Sequence, residues 1–264
     1  MDGVAIVTLP DDFGHLSNLG ELTMDSCKQL KELQESFGSL TNLRTLDIRF
    51  NTRLTRLPST FSGLCSLEKL KAEFCNLQGI IPDDFEKLSS LKTLRLSMNN
   101  LQGLPSSMRG LTNLEKLSMK CCEHLVAIPE LPTSLKVLHA FGCKSLQTIP
   151  KLSHLSKLET LDINICEQLV AVPELPAGLK YLRVSRCKSV QTKPKLSHLS
   201  KLEILNVSDC GKLLAIEDFS TPLKTLNASK CIFLQNIPNL SHLSQLENLD
   251  LTNCKGLRYR VSVG

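Results

Sequence analysis

The side chains with the most evident chemical capacity are cysteines and histidines, eleven and six of them in 264 residues. Nine cysteines (Cys27, Cys75, Cys122, Cys143, Cys166, Cys187, Cys210, Cys231 and Cys254) fall at one position of a recurring pattern. Thiols at regular spacing could pair as disulfides or hold a metal. His154, His198 and His242 recur at 44-residue intervals and could form a row of metal ligands. Cys121-Cys122 could be a redox pair. Phosphate-binding loops, the zinc-protease His-Glu-x-x-His motif, the hydrolase nucleophile elbow and paired Cys-x-x-Cys motifs are all missing, so no catalytic constellation is present and no cofactor is expected.

The pattern that places these residues explains most of them. Leu152-Ser-His-Leu-Ser-Lys-Leu-Glu159 returns unchanged at Leu196–Glu203 and with one change at Leu240–Glu247. Around it runs the template Leu158, Leu161, Ile163, Cys166, Leu169, which recurs eleven times from Leu19 to Leu257. A chain built this way is an array of one small unit and needs no single central core. Within each unit, apolar residues alternate with polar ones as in Leu161-Asp162-Ile163, the period of a half-buried strand. Stacked units then form a parallel sheet with the leucines inward and the Cys or Asn position capping the turn that follows. Identical positions in adjacent layers share one direction and are held by backbones ~4.8 Å apart. Disulfides along such a row are geometrically poor. The three histidines lie two layers apart, ~10 Å, too far for one metal to bridge, and are expected on convex helical turns. Cys122 belongs to the capping row. Cys121 is expected to face the concave surface, where a free reactive thiol is the alternative to a structural residue.

Unit lengths run 24, 24, 24, 23 and then alternate 21 and 23. The long units carry segments such as Leu-Ser-His-Leu-Ser-Lys that can form a helical turn. The short ones carry Pro-Glu-Leu-Pro, which favours extended chain. The expected fold is an α/β repeat: a horseshoe solenoid with a parallel concave sheet and convex short helical turns alternating with extended crossings. Residues 1–264 are read as one repeat domain: a partial unit at 1–18, eleven repeats over 19–257 and a tail at 258–264. The beginning inside a repeat suggests a fragment or short relative of a longer protein. Lys193 stands where Ile149 and Ile237 stand in sister units and is expected to snorkel to the surface.

Recognition is expected on the concave face, where residues vary from unit to unit. The row Phe50–Phe74–Met98 is apolar where solvent is expected, and Arg49, Lys71, Arg95 and Lys120 flank it, with Arg44 a further outward position on the same face. Exposed apolar residues rimmed by charge mark binding surfaces; packing against the sheet edge is the competing reading. A second, weaker cluster comprises His139, Phe141, Tyr181, Arg183 and Arg186. Further along, the face turns acidic and amide-rich, which fits a charge-complementary protein partner. A net charge of +5 without a localised basic run gives no case for nucleic acid. No stretch of ~18 apolar residues exists to span a membrane. The N-terminus lacks a secretory signal, and so many thiols suit a reducing compartment, so a cytoplasmic location is expected. Uncapped end strands are expected to give weak self-association.

The template resembles the leucine-rich-repeat family over essentially the whole chain. The stretch from Ile128-Pro-Glu-Leu-Pro through Phe141-Gly-Cys143-Lys-Ser-Leu146 resembles the C-terminal repeats of plant intracellular immune receptors of the TIR/nucleotide-binding class. Gly79-Ile-Ile-Pro82 is similar to a motif of plant-type repeats more widely. The resemblance implies a non-enzymatic recognition module of plant defence whose partner is a protein ligand or effector, or the domains of a parent receptor. The TIR and nucleotide-binding domains are not in this sequence, so no signalling or nucleotide switching carries over. The alternative is the substrate-recruiting arm of a ubiquitin ligase, against which the 23- and 24-residue units and nine repeat cysteines argue. An extracellular ectodomain is disfavoured by the unpaired thiols.

Overall fold

The computed structural model describes residues 6–191, 195–216, 219 and 222–257. Short strands succeed one another: β1 (Glu21–Thr23), β2 (Thr45–Asp47), β3 (Lys69–Lys71), β4 (Gln78–Ile80), β5 (Thr93–Arg95), β6 (Asn100–Gly103), β7 (Lys116–Ser118), β8 (Val137–His139), β9 (Thr160–Asp162), β10 (Tyr181–Arg183), β11 (Ile204–Asn206), β12 (Thr225–Asn227) and β13 (Asn248–Asp250). All except β4 and β6 form one eleven-stranded parallel sheet in chain order. The register never slips: Leu46 pairs with Leu70, Leu70 with Leu94, and Leu182 with Leu205. The central leucine of each interior strand is at most 1% exposed, and each such side chain contributes roughly 2 kcal/mol of burial. At the last strand the equivalent Leu249 is 47% exposed, because no further layer covers it within the described residues.

The turn after each strand is the repeated device of the fold. In all eleven layers the residue just before the Cys or Asn position has positive φ, from Ser26 and Phe50 through Gly142 and Ile165 to Asn253. That conformation costs an L-residue ~1–2 kcal/mol. It aims the amide N–H along the sheet, so that Phe50 donates to the Glu73 carbonyl at 3.0 Å, Met98 to Lys120 at 2.7 Å and Ile165 to Ser185 at 2.8 Å. The capping side chain then reaches back. Cys166 Sγ donates to the Ala140 carbonyl at 3.3 Å, Cys187 to Ile163 at 3.2 Å and Cys210 to Val184 at 3.0 Å. Asn51 and Asn99 serve the same carbonyl position through Nδ2 at 2.9 and 2.8 Å. The cysteine row is therefore a column of hydrogen-bond donors. All eleven thiols are unpaired, and no group of three potential metal ligands occurs among the described residues.

The convex side departs from the expected alternation. Short 3-10 helices are present at Asp11–His15, Glu35–Ser39, Ser59–Gly63, Phe85–Lys87 and Ser106–Gly110, all in the first half. There the Pro58 carbonyl accepts the Phe61 N–H at 3.1 Å, and Phe61 stacks on Phe85 with ring centres 6.0 Å apart. The Leu-Ser-His-Leu-Ser-Lys crossings are one residue shorter between proline and strand. In the first of them Leu152 points its N–H at the next layer instead, to the Glu174 carbonyl at 2.8 Å. What remains is a pair of tight turns, Leu155 to Leu152 and Leu158 to Leu155, both at 2.9 Å. The three histidines sit in these turns, not in helices. Each places Nε2 near a carbonyl of the preceding layer: Leu131 at 3.4 Å, Leu175 at 2.8 Å and Phe219 at 3.1 Å. Lys193 and the 258–264 tail lie outside the described residues.

Ile165 is the one β-branched residue at the positive-φ position, with φ 57°. Ile165→Gly should raise unfolding stability by about 1 kcal/mol in a urea titration, since it releases backbone strain. Gly142→Val should lower it by about 2 kcal/mol, because φ there is 75° and an added Cβ meets Cys121 Sγ at 2.9 Å. Destabilisation by the first change would mean that the Ile165 side chain packs more favourably than its backbone strains.

Candidate recognition surface on the concave face

Two rows bound the sheet. Before each strand of the main sheet from β3 onward, glutamate and lysine alternate from layer to layer and pair across the gap: Glu68–Lys92 at 2.8 Å, Glu115–Lys136 at 2.8 Å, Glu159–Lys180 at 3.1 Å and Glu203–Lys224 at 2.9 Å. These are surface pairs of small individual energy. They engage one another and leave little charge for a partner. Beyond each strand lies the positive-φ row. Its residues are Ser26, Cys121, Gly142, Ile165, Arg186, Asp209, Lys230 and Asn253 in eight layers but Phe50, Phe74 and Met98 in three consecutive early ones. The backbone adopts the same turn with either kind of side chain, so the fold does not require apolar residues there. Phe50 is 38% exposed and Phe74 and Met98 are each 42% exposed. The two phenyl rings stack at 4.9 Å between centres and 24° between planes. They pack on each other and still present an apolar strip to solvent.

Beside that strip the sheet dips into an open basin of about 630 Å³, lined among others by Phe50, Phe74, Arg95, Ser97, Lys120 and His139. Arg49 also lines it, with the guanidinium carbon 6.0 Å from the Phe50 ring centre. Six of the twelve residues expected at the site thus meet in one place. Lys71 sits at its margin, held by Asp47. Arg44 is exposed before β2, and Met98 extends the apolar strip outside the lining. Phe141, Tyr181 and Arg183 are half-buried and further along the sheet, beyond the basin.

The cations are not equivalent. Asp47, only 3% exposed, receives Arg49 Nε and Nη2 at 2.8 Å each and Lys71 Nζ at 3.1 Å. Burial alone would raise the Asp47 carboxyl. The hydrogen bonds from Arg49 and Lys71 outweigh it and hold the group below the usual carboxylate range. Two of the expected binding cations are therefore committed to one internal anion. Arg95 is held loosely, 3.7 Å from Glu73 and with half its side chain exposed. Lys116 and Lys120 line the basin with no ion pair among the described residues. Basic character is concentrated at β5 and β7 rather than spread over the early face. Later layers satisfy their own polar groups: Asn164 Oδ1 accepts the Ser185 N–H at 2.7 Å, and Asn227 Oδ1 accepts both N–H and O–H of Ser229. The roles of Asp47 and Glu73 escaped the sequence reading. Asp47 stands two residues before Arg49 and one layer from Lys71, and that spacing is the signal for it. Cys121 is half-buried, and burial together with Glu123 raises its thiol, so nothing activates it as a nucleophile.

With this architecture in hand, the class is defined: a parallel-sheet solenoid that offers one wide concave surface, which is a protein-recognition scaffold and not an enzyme fold. The chain belongs to the leucine-rich-repeat family, whose "Leucine-rich repeat region" profile matches residues 75–259 and whose "Leucine Rich Repeat" profile matches 42–64. Among curated proteins it is similar to two from Arabidopsis thaliana. One is the probable disease resistance protein At4g19520, 44% identical over 46 residues, which is 17% of this chain and 3% of that protein. The other is the disease resistance protein RPS4, 42% identical over 48 residues, 18% of this chain and 4% of that protein. Among solved structures, the leucine-rich repeat domain of the type III effector XCV3220 (XopL) superposes with a TM-score of 0.57 at 28% identity, covering 67% of this chain and 73% of that one.

Two outcomes follow from the electrostatics. Asp47→Asn should cost about 1–2 kcal/mol in urea unfolding, the moderate size reflecting the third of Arg49 and Lys71 that water screens. Burial, with Lys120 and Arg183 beside it, lowers the His139 imidazole against the opposing pull of Asp162. A base depressed on folding contributes stability above its unfolded pKa of ~6.5, and that contribution is lost as pH falls through the folded value. His139→Gln should therefore flatten the decline of Tm between about pH 7 and pH 5; an unchanged slope would assign that decline to other groups.

Proposed function

We propose that this chain is the ligand- or effector-sensing module of a plant immune-receptor-like protein, acting in the cytoplasm and binding its protein partner through the early half of the concave face. The observation that carries the reading is the apolar strip at Phe50, Phe74 and Met98. It occupies positions where the turn tolerates serine, lysine or asparagine, and it lies beside a basin whose cations are partly free. Aromatic side chains next to arginine have the composition of an interface hot spot. The matches to disease resistance proteins support the plant-defence assignment. The unpaired thiols support a reducing compartment, since the capping bonds require the thiol form.

The test is affinity capture from plant extract on the immobilised chain, with Phe50→Ala/Phe74→Ala/Arg95→Glu run in parallel. A partner captured by the wild type should fall at least tenfold on the triple variant, with circular dichroism unchanged. A partner retained by the folded variant would place recognition elsewhere on the solenoid.

A further inference from the structure

The basin's contents restrict what can fill it. Arg49 and Lys71 are held in place by Asp47 through three hydrogen bonds of 2.8, 2.8 and 3.1 Å, which ties both side chains to an internal anion. Arg95 sits 3.7 Å from Glu73, longer than a hydrogen bond. Lys116 and Lys120, one layer on, have no carboxylate within ion-pair distance among the described residues. Three cations thus converge at β5 and β7 with unspent capacity. Phe50 and Phe74 lie three and two layers, respectively, before Lys116 along the stack. Measured along the stack alone, at ~4.8 Å per layer, the centre of the phenyl pair is about 12 Å from the layer that carries Lys116 and Lys120. An extended chain rising ~3.3 Å per residue covers that distance in three to four residues.

We infer that the basin binds an extended acidic peptide segment that seats one aromatic or long aliphatic side chain on the Phe50–Phe74 pair and lays carboxylates, three to four residues away, against Arg95, Lys116 and Lys120. The inference rests on the concave-face reading above and specifies its partner. A single-stranded nucleic acid would also use aromatic and cationic groups. The phenyl faces here are stacked on each other at 4.9 Å, which leaves no slot for a base between them and favours a peptide. Ser97 and Ser118, hydrogen-bonded to each other at 2.9 Å, form an uncharged floor between the strip and the cations over which backbone can pass.

A random twelve-residue peptide library displayed on phage, selected against the whole chain, reads the chemistry without a known ligand. Selected peptides should be enriched in one Phe, Leu or Met followed or preceded at three to four residues by two Asp or Glu. As synthetic peptides, they should lose at least tenfold in affinity on Phe50→Ser/Phe74→Ser and again on Lys116→Glu/Lys120→Glu. Replacing the peptide's acidic residues by lysine should restore binding to the second variant. A fluorescent ten-nucleotide oligothymidylate is the competing probe and should bind more weakly than the acidic peptides. No enrichment, enrichment without acidic residues, indifference to the basin variants, or tighter binding of the oligothymidylate would each overturn the inference. If the extract partner still depends on Phe50 and Phe74 while selected peptides are not acidic, the concave-face reading stands and only the partner's chemistry falls. If neither depends on those residues, the reading itself fails.

Discussion

One constraint recurs in every layer and the rest of the structure hangs on it: the chain must turn sharply after three residues of strand without leaving backbone polar groups unsatisfied inside the stack. The solution is a residue with positive φ followed by a thiol or amide that donates to the carbonyl one layer back. A buried carbonyl without a partner costs ~1–3 kcal/mol, comparable to the strain of the left-handed residue. The two terms therefore offset only when both are present. This coupling accounts for the uniform register of eleven strands and for unit lengths that vary only on the convex side. It also accounts for the otherwise odd abundance of cysteine, which packs as a small apolar residue and still donates one hydrogen bond.

The same device decides where recognition can occur. The left-handed residue is needed for its backbone and is free in its side chain, so its identity records something other than folding. Where the outer layers place polar groups, three early layers place Phe50, Phe74 and Met98. Charge tells a parallel story. Glutamate and lysine alternate along the other rim and neutralise each other. Asp47 ties down Arg49 and Lys71 and neutralises one of their two charges. Subtracting these internal pairs turns an apparently basic half-face into a small patch of loosely held cations next to an apolar strip.

Much of this was legible in the sequence because solenoid contacts join equivalent positions in successive units. Eleven matches to one template fix the strands, the inward leucines and the capping row, and the exposed Phe–Phe–Met row followed from counting outward positions. The convex side was less legible. The 3-10 turns there occur in the crossings that are one residue longer before the strand, and the shorter Leu-Ser-His-Leu-Ser-Lys crossings form tight turns instead. The ion pairs were missed because they form between residues 21 to 24 apart, at a spacing that changes with unit length. Sequence alone lists Arg49, Lys71 and Arg95 as equals, and only the position of Asp47 separates them.

The claim that the repeated cysteines are structural donors rather than chemical groups is open to direct measurement by counting thiols with Ellman's reagent under native conditions and on urea unfolding. Burial pushes the Cys75, Cys122 and Cys231 thiols up to about 11 and Cys187 to about 12, and raises Cys143, Cys166 and Cys210 further. These seven should stay silent in the native protein and react only as the sheet unfolds, while exposed Cys65 reacts at once. Modification of any of the seven at the rate of Cys65, with the fold intact, would contradict the account.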